Sequence, residues 1–155
     1  MFQNILFPTD GSNASMQAAE AVFRLATSQG ELHVTVAVVI SPLAPDQSDY
    51  KTEYLDKHNA WLRKEAQLVA DRVAQQLRVP GVSCTTKILE GRPVSAVLAK
   101  EVANGKYQLL VMSSRGLGYE QDTLHYLGNV TEHLIRRISI PILVVPVQNE
   151  DEEED

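Results

Sequence analysis

The chain has little cysteine, few aromatics and no long apolar run. Cys84 is the single cysteine among 155 residues, which excludes an internal disulfide and a multi-cysteine metal site. A reducing, cytoplasmic setting is expected, with Cys84, between Val82 and Ile88, as a buried strand thiol rather than a redox centre. No apolar stretch approaches the ~20 residues that cross a bilayer, so membrane insertion is not expected. Residues 1–8 are apolar but short and lack a basic leader segment, so no secretory signal is expected. Several catalytic signatures are also missing: a Walker A loop, a Gly-x-Gly-x-x-Gly after the first strand, and a Gly-x-Ser-x-Gly elbow.

Basic charge is scarce beside acidic charge, 14 Lys and Arg against 20 Asp and Glu, but the imbalance is local. Residues 150–155 are six consecutive acids, and removing them leaves 14 acids against 14 bases. Residues 149–155 therefore read as a disordered acidic tail behind one domain over residues 1–148. Such a tail repels phosphates, so nucleic acid is not an expected partner. The body, 44% hydrophobic and 22% charged over the whole chain, has an ordinary globular balance.

Apolar runs and helical stripes alternate along it. Residues 4–9, 32–40, 82–89, 108–113 and 140–147 read as buried strands. Helices are expected from Ser12 or Ser15 to about Ser28, over residues 52–79, from Pro93 to about Asn104, and from Asp122 or Thr123 to Ile138. Strand–helix alternation throughout predicts an α/β fold, a three-layer doubly wound parallel sheet. Ligands of such sheets bind beyond the strand C-termini where strand order reverses. Two polar, glycine-containing segments lie there, residues 8–12 and 113–118.

The chain resembles the universal stress protein family at four places in the right order. These are Ile5-Leu6-Phe7-Pro8-Thr9-Asp10-Gly11-Ser12; Glu90-Gly91-Arg92-Pro93; Val111-Met112-Ser113-Ser114-Arg115-Gly116-Leu117-Gly118 with Leu127-Gly128-Asn129-Val130; and Pro141-Ile142-Leu143-Val144-Val145-Pro146. The resemblance implies five strands in the order 3-2-1-4-5, the adenine nucleotide alpha-hydrolase-like fold. It also implies a homodimer through the last strand, which opens with Ile142 and closes with Val147, and a stress-response role regulating an unidentified protein partner. Many members bind ATP. The resemblance then places Pro8, Thr9 and Asp10 at the adenosine side, Val39 at the adenine, and Met112, Ser113, Arg115, Gly116 and Gly118 in the loop. Gly128, Asn129 and Val130 would offer backbone N–H groups to phosphate.

Three departures bear on that reading. Nucleotide-binding members carry Gly, two residues, Gly, nine residues, then Gly and Ser or Thr. Here Ser113 replaces the first Gly, residues 117–127 put 11 positions between Gly116 and Gly128, and Asn129 replaces the Ser or Thr. Ser113 gives up part of glycine's freedom, whereas the Asn129 amide can still donate to a phosphate oxygen. Glu120 and Asp122 would repel a triphosphate unless Mg²⁺ or Mn²⁺ sat between them. Two readings stand: a protein regulated by ATP or AMP, and a constitutive dimeric module whose glycines serve only turns and packing.

Sharper chemistry finds less support. Asp10 lacks the acid cluster and the lysine of a phosphorylated receiver, and is expected to hold a turn or a ligand hydroxyl. The stretch from Asp10 to Ser15 faintly resembles the pyrophosphatase loop of adenylating enzymes but lacks its glycine pair. His33, His58, His125 and His133 are too scattered to grip one metal. Tyr50, Tyr54 and Trp61 have near-helical spacing, which favours core or groove packing over stacking on a base. No catalytic residue or protein-held metal is expected, and the protein is not expected to be an enzyme.

Overall fold

In a computed structural model, residues 1–45, 51–114 and 129–147 are described. Strand β1 (Asn4–Pro8) leads into α1 (Asn13–Met16) and α2 (Ala19–Gln29). Then come β2 (Leu32–Ile40), α3 (Thr52–Leu77), β3 (Val82–Glu90), α4 (Val94–Asn104), β4 (Leu109–Ser113), α5 (Asn129–Arg137) and β5 (Ile142–Val145). All pairings are parallel and the order is β3-β2-β1-β4-β5, as expected. The strand order reverses between β1 and β4. The proposed acidic tail lies outside the described residues.

A parallel sheet must be covered on both faces. On one face Ile5, Phe7, Val34, Val36 and Val38 pack with Ala18, Ala19 and Val22 of the α2 region and with Ala66, Ala70, Val73 and Leu77 of α3. On the other, Leu6, Ala37, Leu110 and Met112 pack with Leu98 and Val102 of α4 and Leu134 of α5. Period-two alternation divides each strand between the two cores. β1 and β4 are buried nearly throughout, whereas β3, at an edge, exposes Ser83, Thr85 and Lys87. His33 of β2 lies in register with Ser83 and takes Ser83 Oγ at 2.8 Å on Nδ1 and Thr85 Oγ1 at 3.1 Å on Nε2.

Three expectations need correction. Cys84 is only half-buried because its strand is an edge; burial still raises its thiol pKa, against a smaller lowering by Arg78. Tyr54 and Trp61 do not pack in the core: they are 50% and 56% exposed, with His58 between them, stacked on Tyr54 and tilted against Trp61. The stripe that faces the sheet runs through Leu55, Ala66, Ala70, Val73 and Leu77, and its alanines bring the helix close. Tyr50 lies outside the described residues. The first helix is divided. The Ser15 hydroxyl donates to Ser12 O, Gln17 N is shared between Asn13 O at 3.2 Å and Ala14 O at 3.3 Å, and Ala18 N reaches back to Ser15 O at 3.3 Å. A serine competing for helical carbonyls tightens the turn, and regular helix resumes at Ala19.

Candidate functional site

The crevice at the reversal is framed by the ends of β1 and β4. At the end of β1, Pro8 is buried in register with Ala37, and β2 runs on past that level through Val38, Val39 and Ile40. Thr9 is buried; its N–H donates to Ala37 O at 2.9 Å and its hydroxyl meets Ser15 Oγ at 2.8 Å. Gly11 N–H donates to Thr9 Oγ1 at 3.0 Å, and Ser12 N–H to Asp10 Oδ1 at 2.9 Å. Ser12 Oγ caps α1 by accepting from Ser15 N. Asp10 is exposed and anchors the turn, one of the two roles expected of it. Gly11 has φ +78°, and a Cβ there would meet Arg72 and Val69 of α3 at 2.7 Å, so both conformation and space require glycine.

Met112 and Ser113 end β4, both buried, with Ser113 in register with Val145. No non-glycine residue among those described has positive φ, so Ser113 adopts extended backbone without the strain that a replaced glycine implied. Ser114 follows, its N–H donating to Val145 O and its hydroxyl accepting from Val147 N at 3.1 Å. Asn129 and Val130 open α5. The buried Thr131 one residue later points its hydroxyl at Ser113 O, 3.5 Å away, and at Met112 Sδ, 3.7 Å away. This fixes the first described turn of α5 against the end of β4. Val39 belongs to the second core, beside Leu89 of β3, two strands from β4. Arg115, Gly116, Gly118 and Gly128 lie outside the described residues, as do Glu120, Asp122 and His125.

The structure therefore gathers Pro8, Thr9, Asp10, Met112, Ser113, Asn129 and Val130 around two adjacent strand ends. Buried hydroxyls of Thr9, Ser15, Ser113, Ser114 and Thr131 concentrate there; Ser95 of α4 is the other buried polar side chain among the described residues. Ser114, Thr131 and Arg72 were not singled out from the sequence as site residues, and Ser15 was singled out only as a candidate helix cap, because their contacts depend on strand register and helix phase. Among the described residues no group of three or more His, Cys, Asp or Glu could hold a metal.

The model of the universal stress protein family matches residues 1–146. The chain belongs to that family. Universal stress protein MJ0531 of Methanocaldococcus jannaschii is 29% identical over 147 residues, which span 94% of this chain and 82% of the relative. The solved structure of hypothetical protein MJ0577, also from M. jannaschii, superimposes with a TM-score of 0.80 at 25% identity, covering 97% and 99% of the two chains. A universal stress protein family structure from Arabidopsis thaliana with AMP bound reaches a TM-score of 0.60 at 16% identity over 99% and 97% of the chains. The fold of this universal stress protein is thus the adenine nucleotide alpha-hydrolase-like fold. No described helix is long and apolar enough to cross a membrane.

Proposed function

We propose that this universal stress protein binds an adenine nucleotide, AMP or ATP, in the crevice between the ends of β1 and β4, and acts as a regulatory homodimer rather than a turnover enzyme. The carrying observation is the seating of α5: Thr131 holds the helix start at Asn129 and Val130 against the end of β4, next to the turn of Thr9 and Asp10. That geometry offers helix N–H groups to a phosphate and a polar turn to the nucleoside. The AMP complex of the Arabidopsis family member supports the ligand class. Asp10 is engaged as a turn anchor, which favours binding over turnover. For ATP, a Mg²⁺ or Mn²⁺ ion would answer the acids Glu120 and Asp122.

The dimer is proposed through β5, whose outer edge pairs with no other strand among the described residues, with Leu143 38% exposed. Isothermal calorimetry with AMP and with ATP plus Mg²⁺, on the unsubstituted chain and on Gly128→Glu, tests the reading. Binding abolished by the added carboxylate is expected. Absence of heat at millimolar nucleotide would return the protein to the second reading, a dimeric interaction module, which the Asn129 replacement favours.

A further inference from the structure

Helix α3 touches the nucleotide turn from outside through Arg72. Its Nη2 donates to the Gly11 carbonyl at 3.2 Å. Arg24, Arg63, Arg136, Lys57 and Lys87 each lie within 4 Å of a carboxylate, and Arg72 pairs with none among the described residues. Its charge is directed at a backbone oxygen, and Gly11 lets it come that close, since a Cβ would stand 2.7 Å from the same nitrogen.

The Gly11 carbonyl and the Ser12 N–H belong to one peptide unit, which is planar, with the two groups pointing in opposite directions. Arg72 holds the oxygen end of that plane and Asp10 Oδ1 accepts from the nitrogen end at 2.9 Å. A cation on a carbonyl polarises its peptide and strengthens the N–H as a donor. We propose that Arg72 is a positioning residue of the nucleotide site, setting the direction of the Asp10 carboxylate through the Gly11–Ser12 peptide. The proposal rests on the adenine-nucleotide reading above. Neighbouring bonds leave this plane as the adjustable element: Thr9 Oγ1 already fixes the Gly11 N–H, and Ser12 Oγ fixes Ser15 N. Without Arg72 the plane is free to rotate, and Asp10 loses the donor that aims it.

Two measurements on Arg72→Met and Arg72→Lys decide the matter. Methionine keeps the aliphatic packing and removes the donor; lysine restores a charged donor. AMP affinity by calorimetry should fall about 5- to 10-fold in Arg72→Met, the net size of one ordinary hydrogen bond at an exposed position, and recover in Arg72→Lys. The Ser12 amide proton, read by NMR without ligand, should move upfield and exchange faster in Arg72→Met alone. AMP affinity within twofold of the unsubstituted chain, or an unmoved Ser12 amide, would overturn the positioning role while leaving the nucleotide reading intact. No AMP binding by the unsubstituted chain would overturn both, whatever the Ser12 amide does.

Discussion

Thr9 concentrates three bonds at one buried position, two through its hydroxyl and one through its N–H. Thr9→Val keeps the shape but leaves Ser15 Oγ and the Gly11 N–H without that partner. A loss of about 1–3 kcal/mol of unfolding free energy is expected, measured by urea denaturation. Tyr107 offers a test by pH. Burial first, and then its hydrogen bond to Glu101, raise its pKa from 10.0 to about 12. A raised phenol favours the neutral form in the folded state. Its contribution is therefore full below pH 10 and is lost as pH climbs to about 12. Chemical-denaturation midpoints should fall across that window, and less steeply in Tyr107→Phe; equal slopes would refute the assignment. Thr9 and Asp10 were legible because they follow an apolar run closed by Gly11. Ser114 and Thr131 were not, since nothing local announces that one meets Val147 N and the other Ser113 O across the fold.

At the level of elements, α3 shows how an apolar pattern divides between core and surface. Leu77 is fully buried while Trp61 is 56% exposed on the same helix. Leu77→Ala should destabilise by about 2–5 kcal/mol, and Trp61→Ala by no more than about 0.5 kcal/mol. Thermal or urea unfolding of the two variants separates these cases, and equal losses would contradict the assigned faces. Helical periodicity located α3 correctly, with Thr52 as its start, but could not assign the buried side. Tyr54 and Leu55 are adjacent in sequence and about 100° apart around the axis, and only tertiary packing chooses between them. The division between α1 and α2 escaped for a related reason: Ser12 or Ser15 was read as the cap of one helix; Ser12 is the cap of α1, and the bond of Ser15 to Ser12 O appears only once the turn is built.

For the whole molecule, strand–helix alternation made a doubly wound parallel sheet readable before any contact was known, and right-handed crossovers left few topologies; the order 3-2-1-4-5 came from the family resemblance. The outer edge of β5, which pairs with no other strand among the described residues, carries the dimer proposal. Val144→Lys places a charge in that strand and should shift the sedimentation coefficient from dimer to monomer while circular dichroism stays unchanged; an unaltered coefficient would sink the β5 dimer. One feature of α3 has an optical corollary. Its 26 residues extend about 39 Å, against about 30 Å for the nine-residue β2. Val69 and Arg72 of α3 approach the turn at Gly11, and Trp61 lies roughly 12 Å along the axis from Val69. Trp61 is also the sole tryptophan. The helix thus carries an intrinsic fluorophore two turns from the residue that meets Gly11, largely exposed, where its emission responds to small changes in surroundings. A ligand that tilts α3 about that contact would report itself by tryptophan emission, with no label attached.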